Sequence, residues 1–237
     1  MRYLILILFL AIGFTSQSQS PYQTETGTEI GIFGAGLTLS GISGYINAKN
    51  DILNPEDLEL LDANNIWKFD RWVTKQYNLK AKKSSDIVLY TSFVLPLTLL
   101  ADENARGDFG KVGLMSVQTL LLNSGLTNIT KTTVKRPRPY LYNEDVALRL
   151  KLKKSDRYSF FSGHTSTTAA MSFLTASMYN DYNPGNNNTV IWGLAALIPA
   201  YTGMQRVRAG KHFLSDVIVG YVVGAGVGLL GPALHRH

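Results

Sequence analysis

The sequence of 237 residues predicts an all-α protein, a bundle of about six core helices, and three observations support this fold class. Apolar residues recur at the three- and four-residue spacing of helices in several long stretches. No stretch alternates apolar and polar residues in the way of a half-buried strand. The length suffices for one domain with a substantial core, and no change of composition marks a boundary between two domains.

The first residues have the order of a signal peptide, which we assign to residues 1–20. Arg2 precedes an apolar run over residues 3–14, and this run is shorter than the roughly 18 to 20 residues that a membrane span needs. Small polar residues follow, and Ser16 and Ser18 could flank a cleavage site. We therefore expect an exported protein, with an uncleaved N-terminal anchor as the alternative.

Residues 21–86 are predicted to form an N-terminal segment with amphipathic helices, packed with the core as a single domain. Residues 30–46 are apolar but interrupted by five glycines, so they form either a loose membrane span or a segment packed against the rest of the protein. Asn54 and Pro55 predict a helix start, as N-cap and first helical residue. Over residues 66–77, apolar residues recur at helical spacing among charged ones, which predicts an amphipathic helix that packs or lies on a membrane surface.

Residues 87–234 are predicted to form the helical core. Its helices are expected over residues 87–101, 112–129, 164–179, 190–204 and 213–231. The last two stretches are apolar enough to cross a bilayer, whereas the others carry polar residues and would cross only within a bundle, so we expect membrane association. In the last helix, Gly220, Gly224 and Gly228 repeat at four-residue spacing and form a face that a neighbouring helix can approach closely.

Charge and composition narrow the classes of partner and site. The net charge of +6 favours anionic partners, and nine basic residues against three acidic ones lie between residues 131 and 157. The sequence contains no cysteine, which excludes disulfides, zinc–thiolate sites and thiol nucleophiles. The basic run KRPRP is also typical of a solvated surface or of a nucleic-acid or anionic-lipid patch, but that interpretation leaves the two histidines described next without a role.

Residues 206–216, RVRAGKHFLSD, predict a site that binds phosphate. If a helix begins near His212, the spacing of four residues places Asp216 one turn away, where its carboxylate accepts the imidazole N–H. That bond fixes the tautomer and leaves the other ring nitrogen free as a nucleophile or base. Arg206 adds a planar guanidinium suited to phosphate oxygens. Such a pair alone is more often a structural hydrogen bond, so the prediction depends on two further fragments.

These two fragments add cations, donor amides and a second histidine. In KTTVKRPRP, Lys131 and Arg138 are separated by six residues. In FSGH, Ser162 is placed to cap a helix, and the exposed amides of the first turn, with Gly163 and His164, form an anion pocket. The remaining cations near the fragments are interpreted as surface residues or as supports behind the site: Lys135, Arg136, Arg208 and Lys211.

Together, the fragments resemble the three motifs of the type 2 phosphatidic acid phosphatase (PAP2) superfamily, which also includes bacterial acid phosphatases and vanadium haloperoxidases. The family motifs are lysine, six residues, arginine-proline; then PSGH; then serine-arginine, five residues, histidine, three residues, aspartate. This sequence departs from them at Phe161, where proline is usual, and at Gln205, where serine is usual. Neither departure removes a charged or proton-transferring group. The likeness extends over most of the chain after Asp86.

The resemblance implies a role for each motif residue, with the active site at one end of the bundle. His212 attacks phosphorus to form a phosphohistidine, Asp216 orients it, and His164 protonates the leaving alcohol and then activates water. The phosphate oxygens are held by the cations and amides of the motifs, at Lys131, Arg138, Ser162, Gly163 and Arg206. No metal and no cofactor are implied, and vanadate is expected to bind as a phosphate mimic and inhibitor.

The function that the resemblance implies is that of a metal-independent phosphatase for a phosphomonoester or pyrophosphate. The substrate expected above all is a lipid phosphate of the phosphatidic acid or isoprenoid diphosphate type. The alternatives are a soluble exported acid phosphatase, a haloperoxidase, and a non-catalytic membrane protein that binds anionic lipid or phosphate. No nucleic-acid partner is expected, and the sequence indicates no particular oligomeric state.

The side of the membrane on which the site lies depends on the number of spans. If the signal is cleaved and every later apolar stretch spans, the site faces the cytoplasm, in agreement with the positive-inside rule for the basic loop. Since the family's site usually faces outward, we expect residues 30–46 not to cross fully and the basic loop to bind substrate. The expected location is the cytoplasmic membrane with the site facing the periplasm or exterior, or the periplasm itself.

Overall fold

Residues 20–236 are described by a computed structural model, and within them the only pairing of strand type is one isolated antiparallel bridge between Tyr22 and Arg236. The all-α prediction is confirmed. The α-helices in chain order are α1 Thr26–Lys49, α2 Pro55–Glu59, α3 Lys68–Arg71, α4 Leu79–Ser92, α5 Phe109–Val134, α6 Gly163–Tyr182, α7 Thr189–Arg208 and α8 Leu214–His235. The predicted signal peptide lies outside the described residues, apart from Ser20.

The central helix of the bundle is α6, which packs against α4, α5, α7 and α8. Twelve of its 20 residues are buried, and most of these are alanine, serine or threonine. Small side chains let several neighbouring helices approach one helix closely. Larger apolar contacts lie further along the helix, where Met171, Leu174 and Met178 pack in one cluster with Val112 and Met115 of α5.

The predicted glycine face of α8 is confirmed, and it packs against α6. A methyl group at Gly224 would lie 2.1 Å from the carbonyl oxygen of Ser166, and one at Gly228 would lie 2.3 Å from that of Ala170. Both oxygens belong to the backbone of α6, so they cannot move aside as a flexible side chain can. The missing side chains at these positions therefore set the distance between the two helices.

Replacing Gly224 by alanine is expected to destabilise the bundle, because the new methyl group overlaps the backbone of α6. Overpacking of this kind costs about 1–3 kcal/mol of unfolding free energy. The matched control is Gly226→Ala on the same helix, where an added methyl group has nothing within 4 Å. Thermal unfolding of both purified variants in detergent measures the difference. Equal midpoints would contradict the close α6–α8 contact.

Residues 30–46 belong to the continuous helix α1, which packs against α5. The two helices meet at glycines, with Gly36 against Leu121 and Gly125 against Leu39. Another face of α1 carries exposed apolar side chains, among them Leu37 at 61% exposure. α1 is therefore a packed helix with an apolar outer face.

The amphipathic helix predicted over residues 66–77 is too long and is not a regular α-helix throughout. α3 covers only four residues and continues as the 3₁₀ turn Trp72–Lys75. Asp70 of α3 is buried and accepts hydrogen bonds from the N–H and the hydroxyl of Ser215, at the start of α8. A contact with a distant part of the chain therefore fixes this short turn, and periodicity alone does not show it.

The other helix predictions are confirmed with changed bounds. The helix expected over residues 87–101 begins earlier, as α4, and bends by 43° before the 3₁₀ helix Leu95–Ala101. Pro96 has no N–H to continue an α-helix there. The predicted boundary at residue 86, between the N-terminal segment and the core, therefore falls inside α4. The later core helices are α5 to α8, and the helix predicted at Pro55 is the short α2.

Membrane contact is indicated by one helix and by the outer surface. Among the described residues, α8 has the length and hydropathy of a span, and α4 with Leu95–Ala101 adds a second if the bent pair counts as one. α7, predicted to be apolar enough to cross, is not among these candidate spans. Large apolar side chains are exposed on several helices, including Tyr90 of α4, Leu197 of α7 and Val222 of α8. Exposed apolar surface of this extent marks contact with lipid or with another protein.

Candidate active site

The start of α6 and the loop between α7 and α8 bring the predicted residues together. His212 in that loop is buried, with 1% of its surface exposed. Lys131, Arg138, Arg206 and His164 all lie close enough to act electrostatically on its ring. The three motifs, separated in the sequence, therefore form one cluster at one end of the bundle. The catalytic roles of these residues stay predictions.

The imidazole of His212 is held by the main chain. Its Nδ1–H donates to the carbonyl oxygen of Ser159 at 2.7 Å. Because a carbonyl only accepts, the proton is on Nδ1 and the lone pair of Nε2 is free. Burial, and then the charges of Lys131, Arg138 and Arg206, lower the pKa of His212 well below its usual value and keep the ring neutral. A neutral, oriented imidazole of this kind can act as a nucleophile.

The predicted hydrogen bond between His212 and Asp216 is not formed. Nδ1 lies 3.8 Å from Oδ2 of Asp216, beyond hydrogen-bond distance. The reason is that α8 begins at Leu214, so the two residues do not share a helix face. Asp216 instead accepts the N–H of Phe213 at 2.8 Å and the hydroxyl of Ser159. Any orienting effect of Asp216 on His212 is therefore indirect, through Ser159.

His164, the second residue of α6, is paired with Asp86 of α4, which belongs to none of the three motifs. Nε2 of His164 lies 2.8 Å from Oδ1 of Asp86. The same carboxylate accepts from Arg206 at 3.3 Å and from Lys82 at 3.0 Å. Burial and the charge of Arg206 lower the pKa of His164 to about 4, against the effect of Asp86, which raises it. The only sequence signal for Asp86 is an acidic residue directly before an apolar stretch.

Three cations surround the histidines, and we call Lys131, Arg138 and Arg206 the cation cluster. Arg206 is buried, and among residues 20–236 its Nε has no hydrogen-bond partner, so a donor remains for an anion. The ammonium of Lys131 donates to the carbonyl of Tyr158 at 3.1 Å, and Arg138 donates to that of Lys211 at 3.1 Å. Cations this close repel one another, and a bound phosphate would relieve the repulsion.

The start of α6 has the geometry predicted from FSGH. Ser162 is the N-cap, and its Oγ accepts the N–H of Thr165 at 3.4 Å. Its own N–H donates to the carbonyl of Asp216 at 2.9 Å, which ties α6 to α8. A methyl group at Gly163 would lie 3.6 Å from Cε of Lys131, so this cation lies directly beside the helix start. The N–H groups of Gly163 and His164, ahead of the capped Thr165, have no partner within the helix and can bind an anion.

Arg136, interpreted from sequence as a surface or supporting cation, joins two buried carboxylates behind His212. Its Nη2 donates to Asp70 at 2.9 Å, and its Nη1 donates to Asp216. The guanidinium also lies over the ring of Phe213, 4.1 Å from its centre. The Asp70–Arg136–Asp216 bridge therefore connects α3, the first motif and the start of α8.

Three known proteins are similar to this chain. Phospholipid phosphatase 1 of Rattus norvegicus is 30% identical over 131 residues, 46% of this chain and 46% of the relative, so the chain spans about half the length of that protein. LpxE of Aquifex aeolicus has a TM-score of 0.46 and 26% identity, with 68% of this chain and 90% of that chain covered. A transmembrane PAP2-type phosphatidylglycerolphosphate phosphatase of Bacillus subtilis has a TM-score of 0.49 and 18% identity, with 87% and 94% covered.

The family model of the PAP2 superfamily matches residues 113–236, more than half of the chain. All three motifs lie inside the match, and the structure brings their residues into one cluster. The chain belongs to the PAP2 superfamily.

Proposed function

We propose that the protein is a phosphatase that cleaves a phosphomonoester or pyrophosphate through a phosphohistidine on His212, without a metal. The observation that carries this proposal is the buried His212, whose Nδ1–H is held by the carbonyl oxygen of Ser159 and whose ring lies within electrostatic reach of the cation cluster. Such an arrangement attracts a phosphate anion and presents a nucleophile to its phosphorus atom.

In the proposed first step, Nε2 of His212 bonds to phosphorus while the bond from phosphorus to the leaving oxygen breaks. His164 gives its proton to that oxygen, so the alcohol departs neutral. The cation cluster holds the phosphoryl oxygens, where negative charge gathers in the transition state. In the second step, water gives a proton to His164 and attacks phosphorus. The bond from phosphorus to nitrogen breaks, and phosphate and neutral His212 are released.

The substrate we propose is a phosphorylated lipid. The cluster lies at the N-terminal end of α8, the described helix with the length and hydropathy of a span, so a headgroup at the bilayer surface would be level with it. The exposed apolar side chains of the outer helix faces favour burial of the bundle in lipid. The similar rat protein is by name a phospholipid phosphatase.

Phosphate release from three substrates tests this function. Purified protein is assayed with phosphatidic acid, an isoprenoid diphosphate and p-nitrophenyl phosphate, with and without EDTA and vanadate. We expect the highest kcat/KM with one of the lipids, no loss with EDTA, and inhibition by vanadate. Highest activity with p-nitrophenyl phosphate, together with extraction without detergent, would favour a soluble acid phosphatase. No release from any substrate would favour a non-catalytic binder.

We also propose that the site faces away from the cytoplasm. Since the chain has no cysteine, Arg149→Cys places a unique thiol in the basic loop. A membrane-impermeant maleimide is expected to label it in intact cells. Labelling only after permeabilisation would place the site inside the cell.

Replacing Asp86 by asparagine is expected to change the pH dependence of the reaction. A general acid must be protonated, so activity is lost as pH rises through the pKa of His164. Asp86 raises that pKa, and its loss therefore moves the alkaline limb of kcat to lower pH, by about one pH unit. Profiles with p-nitrophenyl phosphate measure the limb, with the exposed Asp145→Asn as control. An unmoved limb would show that Asp86 does not act on the proton donor.

A further inference from the structure

An apolar groove lies between α7 and α8, outside the cation cluster. Its volume is about 480 Å³. On each helix the lining residues recur at spacings of three and four, so one face of α7 and one face of α8 form its two walls. Among the residues that line it are Trp72, Ala200, Arg208, Leu214 and Val222. From Leu214 to Val222 the groove runs for about 12 Å along α8.

The end of the groove near the active site carries a cation and an aromatic ring. Arg208 is exposed, and it forms no ion pair with a carboxylate in the part of the chain that the structure describes. Trp72 is 48% exposed, and its Nε1–H donates to the carbonyl of Phe69 at 3.0 Å, which fixes the ring. A tryptophan and an arginine at the end of a candidate span are typical of the level of lipid headgroups.

The groove is separate from the place where the reaction is proposed. Arg206 and Arg208 are two residues apart, or about 200° around α7, so they point to opposite sides of the helix. Arg206 faces Ser85 and Asp86, whereas Arg208 lines the groove. Val207 and Val217, which line the groove, also belong to a buried apolar cluster with Phe213. A phosphate held by Arg208 is therefore on the other side of α7 from the cation cluster.

We propose that this groove binds one acyl chain of an anionic phospholipid of the bilayer, with the lipid phosphate at Arg208, as a second lipid site apart from the catalytic one. The apolar walls fit a hydrocarbon chain, and the unpaired guanidinium complements a phosphate at the level where a headgroup lies. The site rests on the membrane location of the bundle and not on the phosphatase reaction. It adds a lipid that stays bound and is not hydrolysed.

Fluorescence quenching by brominated lipids tests this site, because Trp72 lines the groove. The chain has three tryptophans, so Trp67→Phe with Trp192→Phe leaves Trp72 as the only emitter. The purified protein in detergent is titrated with phosphatidylglycerol or phosphatidylcholine that carries dibrominated acyl chains. We expect saturable quenching with both lipids. The half-saturating concentration of phosphatidylglycerol is expected to be about fivefold lower than that of phosphatidylcholine, because one arginine attracts an anionic headgroup by about that factor.

Variants in this background distinguish the groove from general attraction of anionic lipid. Arg208→Gln is expected to abolish the preference for phosphatidylglycerol, and Ala200→Phe, which fills the groove, to reduce quenching by both lipids. Lys83→Gln, an exposed cation of α4 outside the groove, keeps the parent preference. Equal quenching by both lipids in the parent, or a preference that survives Arg208→Gln, overturns the proposal.

Two further outcomes distinguish a lipid site from a contact between two copies of the chain and from damage to the catalytic cluster. No saturable quenching, together with a change of oligomeric state in Ala200→Phe, would assign the groove to contact between copies and overturn the lipid site. Hydrolysis of p-nitrophenyl phosphate by Arg208→Gln at the parent rate would show an intact catalytic cluster. Since quenching needs no turnover, the proposed phosphatase activity can fail while the lipid site stands, and the reverse also holds.

Discussion

A variant with alanine in place of His212 is expected to lose at least about a thousandfold in kcat/KM, because it lacks the atom that bonds to phosphorus. That loss corresponds to about 4 kcal/mol of transition-state stabilisation. His164→Ala is expected to lose a similar factor with a lipid phosphate. With p-nitrophenyl phosphate its loss in the first step is smaller, because p-nitrophenolate leaves without needing a proton.

The two variants also differ in the intermediate. With p-nitrophenyl phosphate, His164→Ala is expected to accumulate a phosphohistidine, since no group activates water, whereas His212→Ala forms none. Mass spectrometry after an alkaline quench measures it. His235→Ala is the matched control, because this buried histidine binds Glu29 at 2.9 Å at the other end of α8. If His212→Ala kept more than a tenth of the parent activity, a phosphohistidine on this residue would be excluded.

The core helices are well predicted from sequence because their signals are local. The glycine face of α8 is visible as spacing along one segment, and it packs as that spacing indicates. The bounds of α3 and α4 are not local. Asp70 is held by Ser215, 145 positions later, and Pro96 bends the helix that apolar composition alone would continue. Periodicity cannot show contacts of this kind, so the helix over residues 66–77 is predicted too long.

The predictions for the site divide in the same way between local signals and contacts with distant residues. The three motifs identify the histidines and the cation cluster, since residue type and spacing suffice to recognise them. The partner of His164 lies 78 positions earlier, at Asp86, and no spacing within a motif indicates that pair. The hydrogen bond expected between His212 and Asp216 assumes a helix that includes both. Because α8 begins two residues after His212, the imidazole N–H donates to the main-chain carbonyl of Ser159 and not to the carboxylate of Asp216.

Replacing Arg136 by glutamine is expected to lower the unfolding free energy by about 3–5 kcal/mol, the usual cost of leaving buried charges without their partner. Asp70 is 1% exposed and Asp216 is fully buried, and Arg136 donates to both. Arg136→Lys is expected to lose less, because an ammonium keeps the charge but does not have the planar fork that joins two carboxylates. Thermal and denaturant unfolding in detergent measure both variants, with the exposed Arg149→Gln as a control that stays within about 0.5 kcal/mol of the parent.

A second measurement separates the bridge from a general loss of stability. Adding Asp70→Asn to Arg136→Gln removes one of the unpaired charges, so the loss of stability in the double variant is expected to be smaller than the sum of the two single losses.

In the folded fraction of Arg136→Gln, kcat is expected to fall by about a hundredfold while KM changes little. The reason is that Asp216 accepts the hydroxyl of Ser159, whose carbonyl oxygen in turn accepts the N–H of His212. A displacement of about 1 Å at a reacting group lowers kcat by about a hundredfold. The cation cluster, which binds the phosphate, is untouched. Strictly additive stability losses with an unchanged kcat would mean that the bridge neither couples the two carboxylates nor positions the nucleophile.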